Sequence, residues 1–237
     1  MKRKVIRYVP QSAETFILDR MKRERGNGYI KKGTFTNEIV WGKYAFIVPR
    51  MTKKKQLSFK KGMFLFGMVR SEARKFLMRH SNLNLPKKYP QILYASNVDE
   101  SKLEKVTGTD LNHAYWRIAL NLGVISERTY LKGLDDEFKS VRLAALSTLG
   151  ATKKYQLIKE GTPVREFYEE KGDEELQKVY TLIRYTCYKY MTQVKRMLKN
   201  DFLAYKTDAI YYVDNKDNRK KVKDYFIKKG LTIKQLV

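Results

Sequence analysis

Between Asp173 and Val213 the order of residue types leaves the backbone little choice. Apolar residues at Leu176, Val179, Leu182, Ile183, Met191, Val194 and Leu198 recur at helical spacing. They predict one long helix, capped at Asp173 and running to about Asn200. Two short apolar and aromatic runs follow at once, Phe202-Leu203-Ala204-Tyr205 and Ile210-Tyr211-Tyr212-Val213. The break between them is only a few residues long, so they read as two strands around a tight turn. A long helix that feeds an antiparallel hairpin commits the chain to an α+β fold, an antiparallel sheet backed by helices.

The rest of the chain fits that class. Residues 4–9 alternate toward a strand, and Ser12 opens a short helix toward Arg25 that Gly26-Asn27-Gly28 ends. Phe35 to Trp41 and Tyr44 to Val48 predict a hairpin with its turn at Gly42-Lys43. Residues 62–80 carry Phe64, Leu65, Met68, Val69, Ala73, Phe76 and Leu77 at helical spacing, with Arg70, Arg74, Lys75 and Arg79 outside that stripe. Lys105 to Leu111 reads as a strand and His113 to Leu122 as a helix. Asp135-Asp136-Glu137 opens another helix, where acids meet the positive end of the dipole, and Gly150 stops it after Leu149. Residues 153–169 predict a hairpin turning near Gly161-Thr162-Pro163, and a basic helix over 216–229 ends at Gly230 before a short apolar tail.

Charge decides the partner class. The chain of 237 residues has 50 Lys and Arg against 25 Asp and Glu, a net +25 whose commonest partner is a polyanion. Residues 1–100 alone hold 23 basic and 7 acidic side chains. Lys53-Lys54-Lys55 and Lys60-Lys61 flank a strand-like segment and, with Arg74, suit sequence-independent phosphate contacts. No run of 18 apolar residues offers a membrane span, and no apolar run follows the basic start, so neither a membrane segment nor a signal peptide is expected. The lone Cys187 predicts a buried apolar role and a reducing, cytoplasmic setting; His80 and His113 lack the spacing of zinc ligands.

Two isolated acids stand out. Asp110 ends an apolar strand just before a helix, and Asp208 sits in the turn between two aromatic strands. Packing explains neither. Carboxylates at a strand end and a hairpin tip can aim oxygens at a hard cation, Mg²⁺ or Mn²⁺, and a pair of them can hold the metals of in-line phosphoryl transfer. The plain alternative is a helix cap at Asp110 and a turn residue at Asp208.

The order of segments adds a resemblance. Asp110-Leu-Asn-His-Ala-Tyr115-Trp-Arg-Ile resembles the first palm motif of family B DNA polymerases, D-x-x-S-L-Y-P-S-I. Arg142-Leu-Ala-Ala-Leu-Ser147-Thr-Leu-Gly150 resembles the second, K-L-x-x-N-S-x-Y-G. Tyr205-Lys-Thr-Asp208-Ala-Ile210-Tyr resembles the third, Y-x-D-T-D-S-I, one residue short before Thr207. All three occur in the family's order over roughly residues 105–215. The resemblance implies that Asp110 and Asp208 are metal-binding and catalytic. It implies that the backbone of Leu111 and Asn112 turns under a triphosphate, and that Tyr115 lies beneath the sugar and rejects a ribose 2′-hydroxyl. Arg142 falls at the triphosphate-binding cation, Lys139 one turn earlier assists it, and Gly150 lets template approach. Trp116, His113, Leu146, Leu149 and Lys206 depart from the motifs.

The expectation is therefore a palm-like sheet over 101–215 with a bare helical-hairpin fingers (118–149). A basic region, 1–100, would complete the groove, and a thumb-like element, 216–237, would use Lys220 and Lys221 on the duplex. The activity expected is that of a minimal DNA polymerase without a proofreading exonuclease, using Mg²⁺ or Mn²⁺, dNTPs and a DNA primer–template. A second protein subunit would supply missing fingers or exonuclease, and the setting would be the host cytoplasm of a phage or plasmid. The competing readings are a palm retained only for nucleic-acid binding within a replication complex, and a basic coat protein whose aspartates are caps.

Overall fold

The computed structural model describes residues 5–33, 36–50, 53–96, 100–151, 153–170 and 172–236, with side chains described except at 53–56, 58–59, 100, 102, 153 and 165–170. In chain order the elements are β1 (Val5–Tyr8), α1 (Ala13–Arg23), β2 (Gly28–Lys32), β3 (Thr36–Trp41), β4 (Tyr44–Pro49), α2 (Lys53–Arg79) and β5 (Ile92–Tyr94). Then come β6 (Val106–Asn112), α3 (Ala114–Asn121), α4 (Glu127–Gly133), α5 (Lys139–Ser147), β7 (Lys153–Lys159) and β8 (Thr162–Glu170). The remainder is α6 (Glu174–Leu198), β9 (Phe202–Lys206), β10 (Ala209–Val213), α7 (Lys216–Lys228) and β11 (Thr232–Leu236). The chain is α+β, as its patterning requires, and no described helix is long and apolar enough to cross a membrane.

These elements form two compact units, Met1–Phe64 with Gly150–Glu174, and Leu65–Leu149 with Glu175–Val237. The first holds a six-stranded sheet, β1-β4-β3-β2-β7-β8, antiparallel except for the β1–β4 pair. Ile17 and Met21 of α1 pack on Ile30, Ile39, Val48 and Ile158 from four of its strands. Gly161 sits at φ +75 with its amide bonded to the Gly26 carbonyl, and a Cβ there would lie 2.0 Å from the Lys22 backbone. Only glycine meets both demands.

The second unit holds the five-stranded antiparallel sheet β11-β6-β10-β9-β5. β10 alternates between buried and half-buried residues along its whole length. Leu111, Thr109, Ile210, Tyr212 and Tyr205 are buried, as is the inner stripe of α6 (Val179, Ile183, Cys187, Met191, Val194). Register places Asp110, Ala209, Lys206 and Lys234 on the other face of the sheet.

Four expectations change. First, α2 begins at Lys53, not near residue 62, so the lysines expected around a strand-like segment lie on a helix. The stretch is proline-free and rich in Lys, a good helix former. Second, residues 118–149 are not a bare helical hairpin. α4 intervenes, capped by Ser126, whose side chain accepts from the Thr129 amide. Third, the apolar tail is a strand. Because β11 pairs with β6, the segment after α7 adds a strand to the sheet rather than standing apart as a thumb. Fourth, the basic region 1–100 is not one body. β2 recruits β7 from mid-chain, and the unit boundary falls inside α2.

Candidate active site

β6 and β10 run antiparallel, and Asp110 is the register partner of Ala209. Asp208 therefore stands one residue beyond that pair, in the two-residue turn Thr207-Asp208 that joins β9 to β10. The Leu111 amide closes the arrangement by donating to the Asp208 carbonyl at 3.0 Å. A strand end and a hairpin tip are thereby held side by side.

The pocket at this corner has a volume of about 180 Å³, and all seven catalytic and nucleotide-binding candidates line it. Asp110 and Asp208 come from the sheet. Leu111, Asn112 and Tyr115 follow β6 into α3, while Lys139 and Arg142 belong to α5. A larger groove of about 730 Å³ lies elsewhere, beside Glu72, Lys75 and Ser126, and includes none of them.

Both carboxyls are pushed above the usual carboxylate range. Burial is the main cause for Asp110, against which Lys234, Lys139 and the Leu111 amide act. Burial also dominates at Asp208, and the charge of Asp110 adds to it. Among the described residues neither carboxylate has an ion-pair partner. Two desolvated acids, the second of them in the field of the first, are a donor set that suits a divalent cation. Among the described residues no group of three or more His, Cys, Asp and Glu side chains gathers anywhere. Two carboxylates nonetheless fit Mg²⁺, which commonly takes one or two and completes its shell with water and phosphate oxygens.

Tyr115 lies in the first turn of α3, and its hydroxyl meets that of Tyr188 at 3.1 Å. Burial drives its acidity far down. Arg142 differs from expectation. It is 1% exposed, with Nη1 donating to the Gly133 carbonyl at 2.6 Å and Nη2 donating to His113 Nδ1 at 2.7 Å. Burial, then the charges of Arg142 and Lys139, hold His113 below its ordinary pKa, so its ring is neutral and can accept. Arg142 thus braces the pocket wall, and the cation left exposed at the pocket is Lys139. Leu146 and Leu149, which stand at the motif's asparagine and tyrosine, are buried in the core.

The remaining candidates lie outside this pocket. Lys60, Lys61 and Arg74 are exposed on α2, and Lys220 and Lys221 on α7. The side chains of Lys53, Lys54 and Lys55 lie outside the described residues. Gly150 ends the turn after α5, at the boundary between the units. Sequence reasoning missed two contributors to the site. Lys234 pairs in register with Asp110 from β11. His113, at φ +55, turns the chain from β6 into α3. Neither carries a local signal, because each depends on a partner distant in sequence.

Comparison with protein-family models, with curated proteins and with solved structures finds no match to this chain.

Proposed function

We propose that the chain is a metal-dependent, template-directed DNA nucleotidyltransferase, a minimal polymerase of the family B kind without a proofreading exonuclease. The observation that carries this reading is the gathering of Asp110, Asp208, Tyr115 and Lys139 into one pocket from three separate segments. In this reading Asp110 and Asp208 hold Mg²⁺ or Mn²⁺. The bound metal supplies charge neutralisation on the phosphates and a more acidic primer 3′-hydroxyl. Lys139 faces the phosphates and offsets negative charge that grows on the leaving group. Tyr115, fixed by Tyr188, forms a rigid floor for the sugar. Arg142 keeps the α5 wall in place through Gly133 and His113. The exposed lysines of α2 and α7 attract primer–template through phosphate contacts that weaken with salt. A cytoplasmic setting, with a partner chain supplying fingers or exonuclease, belongs to the same proposal.

One observation favours a second reading. The cation at the triphosphate motif, Arg142, is buried and its donors are engaged. A palm kept only for nucleic-acid binding would tolerate that loss. Extension of a labelled primer–template with Mg²⁺ or Mn²⁺ and all four dNTPs separates the two. Extension by wild type but not by Asp208→Asn supports the polymerase. Tight, salt-sensitive binding with no extension by either rejects it in favour of the binding module.

A further inference from the structure

Thr207 adopts φ +60, which a β-branched residue holds only when its surroundings impose it. Three contacts from outside the hairpin do so. The Thr207 amide donates to the Gln91 carbonyl at 2.9 Å, Gln91 Nε2 donates to Thr207 Oγ1 at 3.3 Å, and the Cys187 thiol donates to the Thr207 carbonyl at 3.7 Å. Gln91 is itself fixed. The adjoining Pro90 carbonyl accepts from the Tyr205 hydroxyl at 2.9 Å, and Gln91 Oε1 accepts from Arg184 Nη2 at 3.1 Å. Arg184 lies against the rings of Tyr180 and Tyr188, 5.6 and 5.7 Å from their centres. Its Nε donates to the Tyr188 hydroxyl at 3.2 Å, the same hydroxyl that meets Tyr115. A continuous row of polar contacts thus runs from the turn bearing Asp208 to Tyr115, with Gln91 at the end nearest the turn.

We propose that Gln91 is a positioning residue whose side chain holds the Thr207–Asp208 turn against the strand of Asp110. The inference rests on the reading of the two aspartates as a working pair. Gln91 is exposed and does not line the pocket, so it acts on Asp208 through Thr207. Tethering of the loop is already provided by the Gln91 carbonyl and by Pro90, and both bonds survive replacement of the side chain. Changing the side chain alone therefore separates positioning from tethering.

Gln91→Met keeps the length and removes both polar ends. Thr207→Val keeps the shape and removes the hydroxyl. Amide hydrogen exchange at Leu111, which bonds the Asp208 carbonyl, reports the seat of the turn and needs no metal. A Mn²⁺ titration reports the aspartate pair. In Gln91→Met the protection of Leu111 should fall about tenfold while amides in the middle of β6 and β10 hold theirs. Mn²⁺ binding should weaken about tenfold. The double variant should be no worse than Gln91→Met alone, because the bond that Thr207→Val removes is already lost there. Unchanged Leu111 protection in Gln91→Met overturns the proposal whatever the metal does. Lost protection in a protein whose wild type binds no Mn²⁺ supports Gln91 as the holder of the turn and sinks the metal reading instead.

Discussion

Arg142 and His113 share a 2.7 Å hydrogen bond in which a buried guanidinium donates to an imidazole nitrogen. Only the neutral ring can accept it. A protonated His113 would lose the bond and set a second positive charge against Arg142 and Lys139. The folded pKa is depressed, so the stabilising contribution is present above about 6.5 and is lost as pH falls through the folded value. The denaturation midpoint should drop between pH 7 and pH 5. His113→Gln, which retains an acceptor and does not titrate, should flatten that part of the profile.

The two cations of α5 should part company under mutation. Arg142→Met leaves the Gly133 carbonyl without its donor and should cost about 3 kcal/mol in urea unfolding. Lys139→Ala, at an exposed position, should move stability by no more than about 0.5 kcal/mol. It should raise the dNTP KM about tenfold in primer extension. Equal stability losses for both would contradict the assignment of brace and phosphate contact.

Asp208 should behave as a group kept at the expense of stability. Its folded pKa is raised, so the ionised form disfavours folding, and the contribution present at low pH is lost as pH rises through the folded value. Asp208→Asn should therefore melt a few degrees higher than wild type at pH 7. Millimolar Mg²⁺ should raise the wild-type midpoint and leave that of the variant unmoved. A variant that melts lower would mark Asp208 as a structural turn residue.

Gly133 tests the joint between α4 and the pocket wall. A Cβ there would lie 2.4 Å from the ring of Trp116, whose Nε1 donates to the Tyr130 carbonyl at 3.0 Å. Gly133→Ala should cost about 2 kcal/mol through overpacking. It should also change the Trp116 emission, and Trp41 can be replaced by Phe to isolate that signal.

What the sequence disclosed about this site follows from distance along the chain. Asp110 and Asp208 were legible because strand–acid–helix and strand–turn–strand are patterns of ten residues or fewer. The α6 stripe and the Gly42-Lys43 turn were legible for the same reason. β11 was not, since five residues of mixed character become a strand only by pairing with β6, more than a hundred residues earlier. The brace role of Arg142 was hidden likewise. An arginine at that spacing reads as a free cation until the Gly133 carbonyl and a neutral His113 are found to occupy it. β7 gave its hairpin locally, but its bond to β2, which makes 150–174 part of the first unit, leaves no mark in composition.

The place of β6 between β10 and β11 also sets a schedule. The strand that carries Asp110 leaves the ribosome about a hundred residues ahead of both neighbours that will flank it. At roughly 5–20 residues per second the wait lasts several seconds or more. Throughout that interval β6 has neither lateral partner, and Asp110 has no companion acid. The corner where chemistry is proposed is thus among the last parts of the molecule to be completed, and a nascent chain halted before Asp208 holds its α3 and α5 residues without the second acid or the strands that flank β6.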